Sequence, residues 1–124
     1  MKIALIGYGE VGRILAEDLR SQDHAVTAYD IKLAADAGEP LREHALRFEV
    51  TLAESHVEAV QSAALVVSAV TASQTVAVAE ACAAGIAPGS FLLDFNSASP
   101  GAKIRASEFV NARGGRYVEG AVMT

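Results

Sequence analysis

The stretch KIALIGYGEVG at the start of the chain constrains its fold most, because an apolar run leads directly into three spaced glycines. Lys2–Gly7 is typical of a short buried strand, since it is almost continuously apolar and stops at a glycine. Glu10 to about Arg20 then carries apolar residues at helical spacing. A strand that turns through glycines into a helix favours an α/β fold.

The alternation of strand and helix patterns continues along the chain. Further strands are predicted at Ala25–Asp30, Arg47–Val50, Ala64–Val70, Ser90–Phe95 and Arg116–Val122. Further helices are predicted from Thr51 to about Ser62, from Thr71 through Ala84 and from Pro100 to near Gly114, with a short helix near Leu41–Leu46. We therefore predict one domain with a doubly wound, mainly parallel Rossmann sheet of about six strands and helices on both faces.

Polar residues predict where two of these helices begin. Thr51 with Glu54, and Thr71 with Gln74, have the spacing of a capping box. In that motif the first side chain accepts from the backbone N–H three residues on, and the last side chain reaches back. We expect each pair to open a helix.

The glycines have the G-x-G-x-x-G spacing that binds a dinucleotide pyrophosphate when it joins a strand to a helix. The first glycine permits a tight turn, the second lets the backbone approach the pyrophosphate, and the third lets helix and strand pack closely. The helix start adds free N–H groups and a positive dipole end. The predicted cofactor-binding residues of this loop are Gly7, Tyr8, Gly9, Glu10, Val11 and Gly12. The alternative is a glycine turn that only connects strand to helix.

An acid ends the second predicted strand. Asp30, followed by Ile31, stands where a carboxylate accepts hydrogen bonds from an adenosine ribose and repels a 2′-phosphate. This position predicts NAD as the cofactor. Lys32 softens the repulsion, so NADP stays open as an alternative. Glu10 places a second anion near the expected pyrophosphate, where the helix dipole can stabilise it.

Composition and charge argue against several other classes of function. The net charge is −5 and the basic residues are scattered, so a nucleic-acid partner is not expected. Cys82 is the only cysteine, which rules out an intrachain disulfide and a thiol metal cluster. His24, His44 and His56 lack metal-ligand spacing and are predicted to be ordinary surface or loop residues. No stretch has the length of a membrane span or the pattern of a signal peptide, so we expect a soluble cytoplasmic protein.

Four segments resemble a known superfamily. IALIGYGEVG…AYD, LVVSAVTASQ, LLDFNSASPGAK and GGRYVEGAVM come in the order used by the β-hydroxyacid dehydrogenases. That superfamily includes 3-hydroxyisobutyrate dehydrogenase and 6-phosphogluconate dehydrogenase, and the resemblance covers essentially the whole chain. It implies that residues 1–124 are the NAD(P)-binding domain of an oxidoreductase that transfers hydride between nicotinamide and a small hydroxy acid.

The resemblance also implies site residues beyond the glycine loop. They are Ala69, Val70, Thr71 and Thr75 along the cofactor, and Asn96 and Ser97 near the nicotinamide and substrate. The alternative for the second group is a polar turn that caps the next helix. Ser99 is expected to be that cap, with Pro100 at the first helical position.

The superfamily's catalytic lysine lies in an all-α second domain beyond the last strand, so the resemblance implies no catalytic residue in this chain. Lys103 is predicted to be a solvated surface residue. Many members carry Pro-Val-Ser-Gly-Gly after the last strand, where this chain has residues 121–124, AVMT. This difference argues against a hydroxyisobutyrate-type substrate.

Three further expectations concern the isolated chain. Without its second domain it would expose apolar surface, which leaves homodimer formation open. A stand-alone dinucleotide-binding or redox-sensing module without catalysis is the main alternative function. A second alternative function is that of a Rossmann-like domain that binds another nucleotide-containing ligand.

Overall fold

Six short strands form one parallel sheet in this computed structural model, which describes residues 1–34 and 38–120. The strands are β1 (Lys2–Ile6), β2 (Ala25–Tyr29), β3 (Thr51–Leu52), β4 (Leu65–Ser68), β5 (Phe91–Asp94) and β6 (Arg116–Glu119). Their order is β3-β2-β1-β4-β5-β6, and every neighbouring pair is parallel. The predicted parallel Rossmann sheet is confirmed. Strand order reverses between β1 and β4, and a crevice opens there at the carboxyl ends of the strands.

Helices connect the strands on both faces of the sheet. They are α1 (Glu10–Ser21), α2 (Glu39–Phe48), α3 (His56–Val60), α4 (Thr75–Ala83) and α5 (Pro100–Ala112), with 3₁₀ turns at Ile31–Ala34 and Ala72–Gln74. One apolar core lies between the sheet and α3, α4 and α5. The other lies between the sheet and α1 and α2. Alternate residues of β1 contribute to both cores, which explains its continuous apolar run.

The apolar side chains of the central strand β1 are almost completely buried. Ile3, Leu5 and Ile6 are each 1% exposed. Complete burial of one such side chain contributes about 1.5–3 kcal/mol relative to leaving it in water. β1 thereby fixes the position of the glycine turn that follows it.

The region before β3 differs from the prediction. Arg47–Val50 was predicted to be a strand, which is wrong, because α2 runs through Phe48. Glu49 is the C-cap of the helix and has a left-handed φ of 57°. The short helix predicted near Leu41–Leu46 is present as the longer α2. The pairing of β3 with β2 therefore begins only at Thr51, which lies opposite Thr27.

Both predicted capping boxes are wrong. Thr51 lies in β3, and α3 begins instead after Ser55, whose Oγ accepts a 3.1 Å hydrogen bond from the backbone N–H of Glu58. Thr71 makes no side-chain cap, because a 3₁₀ turn precedes α4 and the helix starts only at Thr75. The Ser-x-x-Glu at residues 55–58 fits the capping spacing as well as Thr51 with Glu54 does. Pairing of β3 with β2 decides between them.

The last helix and strand follow the prediction more closely. Ser99 caps α5, since its Oγ accepts from the backbone N–H of Ala102 at 3.2 Å, and Pro100 is the first helical residue. β6 ends at Glu119. Gly120 therefore follows the strand instead of belonging to it. The rest of the predicted continuation, through Val122, and the AVMT segment compared with the superfamily lie outside the described residues.

Lys103 corrects the expectation of a solvated lysine. Its side chain is buried on the inner face of α5, with the residue 6% exposed. Its Nζ lies 3.9 Å from Asp94 Oδ1 and 3.6 Å from Glu119 Oε1. The general preference of lysine for solvent is overridden because two carboxylates at the ends of β5 and β6 face α5.

Candidate dinucleotide-binding site

The glycine loop is shaped by close backbone contacts around two of its glycines. Gly7 has a φ of +93°, and a Cβ there would collide with the carbonyl oxygen of Ala69. A Cβ on Gly12 would collide with the carbonyl oxygen of Gly7. These positions therefore require glycine to let β1, the turn and α1 pack against the end of β4.

Gly9 differs from its two partners. A Cβ on Gly9 would meet nothing within 4 Å, so the space above it is open. Gly9 is the N-cap of α1 and offers no side chain to the first-turn N–H groups. Open space beside uncapped N–H groups and the positive end of a helix dipole suits a pyrophosphate.

Asp30 is held by the backbone on both sides. Its Oδ2 accepts a 2.8 Å hydrogen bond from the backbone N–H of Tyr8, and its Oδ1 accepts a 2.9 Å bond from that of Lys32. The first bond fixes Asp30 to the glycine loop, and the second fixes it to the 3₁₀ turn after β2. Each oxygen keeps a further lone pair for a ligand hydroxyl.

Two clefts open at the carboxyl ends of the strands, one on each side of a wall formed by Gly9, Ala69 and Val70. The first cleft has a volume of about 700 Å³ and is lined by Ile6, Gly7, Gly9, Tyr29, Asp30, Ile31, Lys32, His56, Ala69, Val70, Thr71, Gln74 and Val78. The second has about 720 Å³ and is lined by Gly9, Glu10, Val11, Ala69, Val70, Ala72, Phe95, Asn96 and Ser97. The two clefts are therefore neighbours at the glycine loop, because they share Gly9, Ala69 and Val70.

Most of the predicted site residues lie on these two clefts. Those on the first are Gly7, Asp30, Ile31 and Thr71, those on the second are Glu10, Val11, Asn96 and Ser97, and those on both are Gly9, Ala69 and Val70. Tyr8, Gly12 and Thr75 line neither cleft. The structure therefore brings together the residues drawn from β1, β2, β4 and β5.

Tyr8 contributes to the site through its neighbours. The residue is fully buried, and its hydroxyl lies 2.5 Å from Nδ1 of His44 on α2. Burial raises the pKa of the phenol to about 12. His44 in turn places Nε2 2.9 Å from Glu17 Oε2 on α1. Tyr8 anchors the loop between two helices, and its N–H orients Asp30.

Two histidines depart from the prediction of ordinary surface or loop residues. His44 is half-buried in the contact with Tyr8 just described. His56 begins α3, is half-buried beside the ring of Tyr29 at 4.7 Å between centroids, and faces the first cleft. Burial lowers the pKa of His56. His56, Gln74 and Tyr29 were missed as site residues, although Tyr29 directly precedes the acid that marked the site.

Asn96 is buried, and both the oxygen and the nitrogen of its amide bond to the protein. Its Oδ1 accepts a 2.7 Å hydrogen bond from the backbone N–H of Val70, and its Nδ2 donates to Ser68 Oγ at 3.0 Å. Its backbone N–H donates to Asp94 Oδ1 at 2.8 Å. Ser97 is exposed at the second cleft. Asn96 therefore shapes the cleft while Ser97 presents a hydroxyl to it.

Thr75 lies at the first residue of α4 and is 1% exposed. Among the described residues its Oγ1 has no hydrogen-bond partner. The predicted contact of Thr75 with the cofactor stays a prediction.

Comparison with known families follows from this geometry. A parallel sheet with a glycine loop, an acid after β2 and clefts at the switch point defines a dinucleotide-binding domain. Residues 2–123 match the family described as the NAD binding domain of 6-phosphogluconate dehydrogenase. The chain belongs to this family, which confirms the resemblance to the β-hydroxyacid dehydrogenases and the assignment as an NAD(P)-binding domain. No curated protein matches the chain.

Solved structures resemble the chain over nearly all of its length. A conserved hypothetical protein of Sinorhizobium meliloti is 30% identical, with a TM-score of 0.92 over 100% of this chain and 42% of its own. A 3-hydroxyisobutyrate dehydrogenase of Mycobacterium tuberculosis, solved with L-serine, is 20% identical and shares the fold, with a TM-score of 0.86 over 99% of this chain and 40% of its own. A reductive aminase of Aspergillus terreus in complex with NADPH4, cyclohexanone and allyl amine is 25% identical, with a TM-score of 0.75 over 99% of this chain and 41% of its own. The chain thus spans about two fifths of the length of these relatives.

Two further findings concern other kinds of site. Within residues 1–34 and 38–120, no group of three or more His, Cys, Asp or Glu residues is arranged to hold a metal ion. In the same part of the chain, no helix is long and apolar enough to cross a membrane.

Proposed function

We propose that this chain binds NAD(H) across the two clefts, with the adenosine half in the first, the pyrophosphate over Gly9 and the nicotinamide half in the second. The observation that carries the proposal is the placement of Asp30, which faces the first cleft while two backbone N–H groups hold it. A carboxylate in this place accepts hydrogen bonds from the ribose of adenosine. The other half of a dinucleotide then extends past the glycine loop.

The proposed preference for NAD over NADP rests on the charge of Asp30. A 2′-phosphate would approach a carboxylate that is fixed in position and cannot swing away. Lys32 is exposed at the same cleft and reduces this repulsion. The preference is therefore proposed to be moderate.

In the second cleft, we propose that Ser97 contacts the nicotinamide or the substrate. When bound, the nicotinamide supplies or accepts a hydride. The Ser97 hydroxyl can donate or accept one hydrogen bond, which suits a carboxamide or a carboxylate group. Asn96 holds the loop from below, and Phe95 supplies an apolar wall.

For the whole protein, we propose an oxidoreductase that acts on a small hydroxy acid. The family match and the hydroxyacid dehydrogenase among the structural relatives support this proposal. The all-α second domain, its catalytic lysine, homodimer formation and a cytoplasmic location stay predictions.

The proposal is tested by fluorescence titration of the chain with NADH and with NADPH. We expect saturable binding of both, tighter for NADH. Asp30→Ala should weaken NADH binding about tenfold, because it removes hydrogen bonds to a charged acceptor. Asp18→Ala, at an exposed acid of α1, is the matched control and should leave both affinities unchanged. The absence of binding at millimolar concentrations of either cofactor would overturn the proposal.

A further inference from the structure

A charged cluster with a buried Lys–Asp pair and an exposed glutamate lies at the carboxyl ends of β5 and β6, where α5 covers them. Asp94 is 2% exposed and Lys103 is 6% exposed. The Tyr117 hydroxyl donates to Asp94 Oδ2 at 2.5 Å, and Glu119 Oε1 approaches Lys103 Nζ at 3.6 Å. We call Lys103, Asp94, Tyr117 and Glu119 the Lys103 cluster.

Hydrogen bonds connect this cluster to the wall shared by the two clefts. Asp94 Oδ1, which lies 3.9 Å from Lys103 Nζ, accepts from the backbone N–H of Asn96. The Asn96 side chain then accepts from the backbone N–H of Val70. Lys103 is thus three contacts away from Val70, although it lines neither cleft itself.

A second connection runs through the end of β6. Lys103 Nζ donates to the carbonyl oxygen of Gly120 at 3.4 Å. A Cβ on Gly120 would lie 2.6 Å from the ring of Phe95, so the Gly120 backbone packs directly against that ring. Phe95 lines the second cleft. Lys103 therefore contacts Asp94 and Gly120, and these contact two residues that line this cleft, Asn96 and Phe95.

Stability alone does not account for the charges of the cluster. Removing lysine and carboxylate groups from water is unfavourable, and well-packed apolar residues in place of a buried ion pair are often as stable or more so. A hydrogen bond with a charged donor or acceptor is, however, stronger than a neutral one, so a charged pair holds its hydrogen-bonded neighbours more firmly. In this cluster those neighbours are Asn96 and Gly120.

We propose that Lys103 is a positioning residue, which through Asp94 and Gly120 sets the shape of the second cleft and so the affinity for the nicotinamide half of the cofactor. The inference rests on the proposed function. A positioning role of Lys103 differs from a purely structural role in one measurable respect. Loss of Lys103 should weaken ligands that reach the second cleft and spare those that fill only the first.

The test compares NADH, which spans both clefts, with ADP, which carries only the adenosine and pyrophosphate part. NADH affinity is measured by fluorescence titration, ADP affinity by calorimetry and folding by circular dichroism. The variants are Lys103→Met, Lys103→Arg and the double variant Lys103→Met with Asp94→Asn, which removes both charges. Lys2→Met is the matched control, because Lys2 lies at the opposite end of the sheet and bonds the Gln61 carbonyl.

We expect Lys103→Met and the double variant to lower the affinity for NADH at least about fivefold, which is in the range typical of coupling between sites. The affinity for ADP should change less than about twofold. Lys103→Arg keeps the charge and should stay close to the unmodified chain. Lys2→Met should change neither affinity. If Lys103→Met does not fold, the double variant decides, because it leaves no unpaired buried carboxylate.

Three results would overturn the inference. One is an equal loss of NADH and ADP affinity in a folded variant, the second is no loss of NADH affinity, and the third is a double variant that does not fold. A chain that binds neither ligand before any substitution would overturn the proposed function as well. The two failures are thereby distinguishable.

Discussion

The side-chain oxygen of Asn96 accepts a 2.7 Å hydrogen bond from the backbone N–H of Val70, and so ties the end of β5 to the wall that both clefts share. Ser68 completes the arrangement by accepting from the Asn96 amide at 3.0 Å. Both partners belong to β4 or to the residues just after it. The carboxyl ends of β4 and β5 are therefore joined by a side chain as well as by the strand ladder.

Asn96→Ala should lower both stability and cofactor affinity. It leaves the half-buried Val70 N–H without its acceptor and the buried Ser68 hydroxyl without its donor, which should lower the unfolding free energy by about 1–3 kcal/mol. Denaturant unfolding measures the loss, and NADH titration follows the affinity. Ser97→Ala is the control, because Ser97 is exposed and its stability effect should stay within about 0.5 kcal/mol. Equal stability of the two variants would contradict the role assigned to Asn96.

Alanine at Gly7 and alanine at Gly9 should have opposite effects. Gly7→Ala forces a side chain into a left-handed φ and against Ala69, which should lower the unfolding free energy by at least about 2 kcal/mol. Gly9→Ala places its methyl group in open space at a φ of −80°, so the fold should be retained. The same methyl group occupies the space proposed for the pyrophosphate. Thermal unfolding and NADH titration of both variants separate the two roles, and tight NADH binding by Gly9→Ala would contradict that placement.

Glu10→Gln should leave NADH affinity unchanged or raise it. Glu10 is exposed at the start of α1 and lines the second cleft, where its negative charge would repel a pyrophosphate. The helix dipole stabilises Glu10 by only about 0.3–1 kcal/mol, so the fold should tolerate glutamine. NADH titration at low and high salt measures the effect, since screening should shrink any gain. A tenfold loss would make Glu10 a direct ligand.

The features whose place in the fold was predicted correctly are those with local signals. Gly7 and Asp30 were recognised because a buried strand, a glycine spacing and a terminal acid each leave a pattern in neighbouring residues. The short strand β3 leaves no such pattern. Because Thr51 pairs with β2, the helix predicted to begin at Thr51 begins after Ser55 instead.

The burial of Lys103 depends on tertiary contacts between segments far apart in sequence. Its cluster joins α5 to the ends of β5 and β6, and nothing within α5 alone indicates that carboxylates will face it. The engagement of Asn96 by Val70 has the same origin, since the two residues are 26 positions apart. Sequence spacing and the resemblance to the superfamily therefore predicted most of the residues that line the two clefts but not the contacts that position them.

Stability should fall as the pH rises above the ordinary range of thiols and phenols. Burial raises the pKa of Cys82 from 9.0 to about 12, and that of Tyr8 from 10.0 to about 12. Because the folded pKa is the higher one, each group stabilises the fold fully below its unfolded pKa, and this contribution is lost as the pH rises towards the folded pKa. Within that window the unfolding free energy should fall by about 1.4 kcal/mol per pH unit for each group.

Denaturant titrations between pH 8 and pH 11, a window of roughly three units chosen to span these values, measure the slope. Cys82→Ala should remove the part of the decline that begins near pH 9.0, and Tyr8→Phe the part that begins near pH 10.0. The pKa of Tyr117 is also raised, by burial and by its hydrogen bond to Asp94, so a residual decline should remain in both variants. Ser97→Ala is the control, because it changes an exposed residue that carries no ionisable group. A slope unaffected by Cys82→Ala would mean that the thiol ionises equally in the folded and unfolded chains.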